Sequence, residues 1–149
     1  MIRTLVLLIA FVGLSSFSTL HYQAADINGI WFSQEKDAKI KVYSSGGKHF
    51  GYITWLKEPN DPETGKPQLD KNNSDKAKQS RPIKGLEILK NLEWDADDQE
   101  WEDGEIYDPK SGNFYSLTCS LTNKNTLSLR GYMGISLIGR TSVWTRTTE

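Results

Sequence analysis

From Ile30 onward this chain consists of short runs in which apolar residues recur at every second position, with turn-forming residues between one run and the next. Period two marks a strand with one buried face, because successive side chains leave a strand on opposite sides. The runs cover 30–34, 38–43, 49–56, 86–94, 100–107, 114–122, 126–133 and 137–145. In the third run Phe50, Tyr52 and Leu56 are expected on one face, and Ile53 and Trp55 on the other. Gly46-Gly47, Asp95 to Asp98, Pro109 with Gly112, Asn123 to Asn125 and Gly134-Ile135 supply the connections. No stretch offers a helix long enough for a crossover between parallel strands, so neighbours in sequence should pair antiparallel. About eight such strands are near the number that closes on itself, and closure removes edges that would otherwise invite aggregation. The expected fold class is all-β, a small antiparallel up-and-down β-barrel of about eight strands. An open β-sandwich is the alternative.

Residues 57–84 break the pattern. Pro59, Pro62, Pro67 and Pro82 stand among many charges and few apolar residues, and no regular strand survives that density of proline. A loop this long in a compact domain is usually functional or partly disordered. A short helix can form near 74–79, with Asn73 or Ser74 as its N-cap.

The start of the chain has the features of an export signal. Arg3 precedes an apolar run from Leu5 to Leu14, and a polar stretch then ends in Ala24-Ala25. The run is shorter than the roughly 18 residues of a membrane span, so cleavage near residue 25 is favoured over a retained anchor. Residues 1–25 are thus read as a signal peptide and 26–149 as one domain, exported to the periplasm or beyond, with no stable membrane anchor after cleavage. Once Arg3 is removed, 17 basic and 19 acidic residues remain. That mixed balance argues against a nucleic-acid partner, which needs a basic face. Cys119 is the single cysteine, so no internal disulfide is available. Its alternation with Leu117 and Leu121 reads as a buried small apolar residue rather than a reactive thiol.

The motifs Asp26-Ile27-Asn28-Gly29-Ile30-Trp31, Gly51-Tyr52-Ile53-Thr54-Trp55-Leu56 and Leu69-Asp70-Lys71-Asn72-Asn73 are joined by Arg81-Pro82-Ile83-Lys84-Gly85 and Gly104-Glu105-Ile106-Tyr107-Asp108-Pro109. Gly112 with Tyr115, Leu129-Arg130-Gly131-Tyr132-Met133-Gly134, Gly139-Arg140 and Trp144-Thr145-Arg146 complete the set. With these residues the chain resembles the bacterial secreted proteins grouped as domain of unknown function 2147. The resemblance implies a lipocalin-like (calycin-like) barrel outside the cytoplasm, with no established activity. It also implies that Gly29, Trp31, Trp144 and Arg146 close one end, the arginine lying across the Trp31 indole. The resemblance also implies a cysteine pair in many relatives around the hairpin where this chain has Ser45 and Phe50, and its absence here argues against redox chemistry at this hairpin as the family's function.

Candidate ligand-binding residues fall into two groups. Trp55, Tyr107 and Tyr132 supply aromatic surface, and Arg130 and Arg140 could hold an anionic headgroup if they face the lumen. Period two does not say which face is inside. Asp70, Asn72 and Arg81 come from the long loop, which is expected at the mouth opposite the closed end. Asp70 to Arg81 is a poor calcium loop, with Asp75 at the sixth position and Arg81 at the twelfth, so no metal is expected. The acidic run from Glu93 to Glu105 reads as a solvated turn and strand face. Catalytic spacings are absent, His49 is the lone histidine of the domain, and no cofactor is expected. The expected role is binding of a small apolar or amphipathic ligand. A filled barrel that recruits a protein partner through the 57–84 loop is the alternative, and an envelope hydrolase a weaker one.

Overall fold

The computed structural model describes residues 21–135 and 137–149; the signal segment expected over 1–25 lies, up to position 20, outside the described residues. Eight strands follow in chain order: β1 (Gly29–Phe32), β2 (Ala38–Ser45), β3 (Lys48–Leu56), β4 (Glu87–Asp95), β5 (Glu100–Asp108), β6 (Asn113–Asn123), β7 (Thr126–Tyr132) and β8 (Gly139–Thr147). Each pairs antiparallel with the next, and β1 pairs with β8 to close the barrel. The alternating pattern therefore does what it suggests, and the sandwich alternative falls. The last strand starts at Gly139 rather than 137, because Leu137 and Ile138 belong to the turn before it.

Two kinds of residue let the sheet curve. At Gly46 and Gly47, φ is +58° and +81°, the double left-handed turn that matches the twist of a two-residue hairpin. Tyr43 packs on Phe50 and Tyr52 at 5.8 and 5.9 Å beside it, so this hairpin stands without a disulfide. Bulges do the rest. On β3, Lys39 pairs with Trp55 but Ile40 pairs with Ile53, leaving Thr54 as an extra residue. That one residue reverses the parity beyond it. Trp55 is carried to the outer face with Lys39, and Leu56 turns inward with Ala38, contrary to the strict alternation expected of this strand. Bulges on β4 and β5 place Asn91 and Asp103 at positive φ.

The inward faces divide the lumen into two halves. One end is solid: Ile27, Trp31, Leu92, Trp101, Leu121 and Leu127 are buried there with His49. A 3₁₀ turn, Ala24–Ile27, caps this end. Trp31 donates its indole N–H to the Ile27 carbonyl at 2.9 Å, and Trp101 donates to the Ala24 carbonyl at 3.1 Å. Arg146, directly opposite Trp31 in register, lays its guanidinium 4.1 Å from the indole ring. That guanidinium donates to the backbone carbonyls of Asp26, Asn28 and Lys124 at 2.6, 2.8 and 2.7 Å. One side chain thus ties the cap, β1 and the β6–β7 turn together. Gly29 makes room for it: φ is +135°, and a Cβ there would stand 2.6 Å from Arg146 Nη1. Trp144 is the exception among the expected closure residues. It faces inward one step nearer the other end and forms floor and wall above the plug.

The 57–84 segment joins the far ends of β3 and β4, so it lies at the open end. It is held in place by short bridges, Asn60 with Pro67 and Leu69 with Pro82. The expected short helix is a single 3₁₀ turn, Lys76–Lys78. Its N-cap is Asp75 rather than Asn73 or Ser74; the Asp75 carboxylate accepts from the Ala77 N–H, while Asn73 Oδ1 accepts from the Asp75 N–H.

Candidate functional site

Above Trp144 the barrel is hollow. A cavity of about 970 Å³ opens there, a size within the range of small-molecule sites. Its wall is built by inward residues of seven strands, among them Ile40, Ile53, Ile88, Leu117 and Leu129, with Trp144 at the floor. These are the period-two residues of the sequence, so the pattern that specifies the barrel also makes its lumen apolar. The mouth is formed by the β1–β2 turn, the start of the long loop, the β5–β6 turn and the β7–β8 connection. Met133, Ile135, Leu137 and Ile138 of that last connection are largely solvent-exposed beside the mouth.

The rim carries charge. Lys110 donates to the Asp37 carboxylate at 2.6 Å, and Ser33 donates to its other oxygen at 2.7 Å. Burial works to raise the Asp37 pKa, but those two hydrogen bonds outweigh it and hold the carboxyl below its usual value. The same contact with Asp37 raises Lys110. This pair locks the β1–β2 turn to the β5–β6 turn.

The residues expected to bind ligand separate into three groups. Arg140, Tyr132 and Tyr107 border the cavity. Arg140 is opposite Gly131 on the inner face, in step with Ser142 and Trp144. Arg130 points the other way: it pairs with Thr118 and Thr141, donates to Thr141 Oγ1 at 3.2 Å and to the Leu137 carbonyl at 3.1 Å, and sits on the outer wall. The two arginines therefore do not converge, since the leucines of β7 fill the inner face and exclude Arg130 from it. Trp55 is also outside, 38% exposed and edge-on to Phe32 at 6.0 Å. The Thr54 bulge is the reason.

The long-loop residues form the third group. Asp70 is wholly buried and accepts from Tyr107 Oη at 2.6 Å, Asn73 Nδ2 at 2.9 Å and Arg81 Nε at 2.9 Å. Asn73 Nδ2 lies 3.0 Å from Tyr107 Oη as well, and the Arg81 guanidinium stands 5.9 Å from the Tyr107 ring. Burial, followed by the hydrogen bond to Asp70 and its charge, pushes the Tyr107 phenol up to about 12. Every oxygen of Asp70 is engaged within the protein. The cluster straps the loop to β5, so Asp70 and Arg81 hold the mouth in shape. Asn72 does a related job from the surface, donating to the Lys110 carbonyl at 2.9 Å. Gly112 lets that turn approach: its φ is +74°, and a Cβ would stand 1.9 Å from the Asn72 carbonyl oxygen.

Sequence reasoning did not single out Asn73, Ser142 or Gly131 for the site. Asn73 reads there only as a helix N-cap and Gly131 only as part of a quoted motif, and strand register alone puts Gly131 and Ser142 at the cavity. Cys119 is buried on the inner face and burial raises its thiol, in keeping with an apolar packing role. His49 is sealed at the closed end, its Nδ1 3.4 Å from the Leu92 carbonyl and its ring edge-on to Trp101 at 6.3 Å. Its Nε2 has no hydrogen-bond partner among the described residues, and burial lowers its pKa. Among the described residues no group of three His, Cys, Asp or Glu is placed to hold a metal ion.

Comparison with known proteins places this geometry. No curated protein matches the chain in sequence. Among solved structures the barrel is similar to protein HP1028 from the human pathogen Helicobacter pylori, described as belonging to the lipocalin family. That similarity has a TM-score of 0.68 at 21% identity, over 82% of this chain and 83% of the other. It shows the fold: a closed, lipocalin-like barrel of eight antiparallel strands. A family match covers residues 29–146, from the glycine ahead of Trp31 to the arginine that covers it. The chain belongs to the bacterial family described as "Uncharacterized protein conserved in bacteria (DUF2147)".

Proposed function

We propose that this protein is an exported, non-enzymatic barrel that carries a small apolar or amphipathic molecule in its open half. The observation behind this reading is the division of the lumen: one half is packed with aromatic and aliphatic side chains, and the other is an apolar cavity of about 970 Å³. A protein that needed only a stable barrel would fill both halves, because unfilled volume costs stability. The alternative that relies on a filled barrel loses its premise. A hydrolase finds little support at this site, since His49 lies at the plugged end and the cavity carboxylates are confined to the rim. Export rests on the leader-like residues 1–25.

Two experiments test the reading. Titration of the purified protein with a polarity-sensitive apolar dye should give saturable binding at one site per chain. Native mass spectrometry of protein recovered from its host's envelope should show a small-molecule adduct that denaturation releases. A dye that does not bind, together with an adduct-free spectrum, would overturn the proposal.

A further inference from the structure

Resting on the carrier reading, we infer that the ligand is a single-chain amphiphile with an anionic oxygen-acid head, and that Arg140 receives the head. The described arginines differ sharply in how they are used. Arg81 is on Asp70, Arg146 on three carbonyls and the Trp31 ring, and Arg130 on Thr141 and the Leu137 carbonyl. Arg140, among the described residues, has no hydrogen bond, ion pair or ring contact for its guanidinium, although it stands on the inner face. A planar fork of donors directed to a cavity rim, with no acceptor of its own, is suited to a carboxylate or phosphate that arrives with the ligand.

The surroundings fit a head above a tail. Opposite Arg140 is Gly131, which has no side chain to fill the space. A Cβ at Gly131 would lie in ordinary van der Waals contact, 3.7 Å from the Tyr115 Cβ and 3.8 Å from Ile106 Cγ2, and the glycine leaves the volume beyond to the cavity it lines. One register step deeper on β8 is Ser142, and beyond it the apolar floor at Trp144. Polarity thus falls from rim to floor along a single strand. Two other cations line the cavity mouth: Lys110 is already held by Asp37, and Lys57 offers a flexible point charge rather than the planar fork of Arg140. Of the remaining rim carboxylates, Asp108 accepts from the Lys110 backbone N–H, and Glu35 and Glu58 lie beyond ion-pair distance of Arg140.

Laurate, dodecyl phosphate and dodecanol share one chain and differ in the head, so calorimetric titration with each separates head from tail. The native protein should bind at least one of the two anions about tenfold or more tightly than the alcohol, and which anion wins distinguishes a carboxylate from a phosphate head. Arg140→Ala should erase that preference while leaving dodecanol affinity unchanged, and Arg140→Lys should retain part of it. Equal affinity for anions and alcohol in the native protein would overturn the head assignment and leave the carrier reading standing. A preference that survives in Arg140→Ala would overturn it too. Failure of all three compounds to bind would overturn the carrier reading itself and this inference with it.

Discussion

Replacing Gly29 by alanine should destabilise the barrel by about 2–5 kcal/mol, and that cost has two separable sources. The first is backbone conformation: φ is +135°, where an L side chain is strained by about 1–3 kcal/mol. The second is Arg146. An added Cβ would lie 2.6 Å from Nη1, so the guanidinium must leave its place 4.1 Å from the Trp31 ring. Losing that contact costs about 0.5–2 kcal/mol. The three carbonyl bonds to the cap and the β6–β7 turn weaken as well; water reaches this partly exposed guanidinium and replaces them, so they add about 1 kcal/mol at most. With a urea slope of about 1–3 kcal/mol/M, the unfolding midpoint should fall by roughly 1–3 M. A double-mutant cycle separates the two sources. In an Arg146→Ala background the Gly29→Ala cost should shrink to its backbone part, about 1–3 kcal/mol. An unchanged midpoint in Gly29→Ala, or the same cost in both backgrounds, would refute the claim that glycine, tryptophan and arginine act as one plug.

Three further outcomes follow from the same geometry. Asp70→Ala leaves the buried Tyr107 hydroxyl without its acceptor and the Arg81 guanidinium without its carboxylate and should cost about 3–5 kcal/mol in chemical denaturation, whereas Tyr107→Phe should cost about 1–2 kcal/mol. Because Tyr107 titrates higher in the fold than its ordinary 10.0, the unfolded chain gives up that proton first, and stability should fall as pH rises from 10 to about 12; Tyr107→Phe should flatten that limb. His49 has the opposite limb: its folded pKa lies below 6.5, the unfolded chain takes the proton first, and stability should decline as pH falls below 6.5. Urea midpoints of His49→Gln should lose that acid dependence.

The sequence exposed the barrel more fully than the site, and the reason is physical. Alternation reports that one strand face is buried, and it locates all eight strands because each carries several turns of the pattern. The plug was legible for a different reason: Gly29, Trp31 and Arg146 sit in motifs of the family. Parity, however, is lost at any bulge, and no local signal marks Thr54 as an extra residue. Trp55 was therefore expected to be a ligand contact and is on the outside. Arg130 and Arg140 lie on different strands, so only the register of β7 with β8 shows that one faces out and the other in. The Asp70 strap joins residues 37 apart through a loop with no periodicity, and loop chemistry of that kind leaves no trace in hydrophobic pattern. Its members were recognised as a set of interest, yet their role is to satisfy one another.

The central claim is that the open half of the barrel receives a ligand, and Gly131→Phe tests it most directly. Gly131 lines the cavity with ordinary backbone geometry, and a Cβ there meets Tyr115 and Ile106 only at ordinary van der Waals distance, so a phenyl group can be directed into the lumen. The account predicts that the variant loses at most about 1–3 kcal/mol of stability, so it stays folded, and loses binding of the apolar dye and of the alkyl amphiphiles. Undiminished binding in a folded Gly131→Phe protein would contradict it.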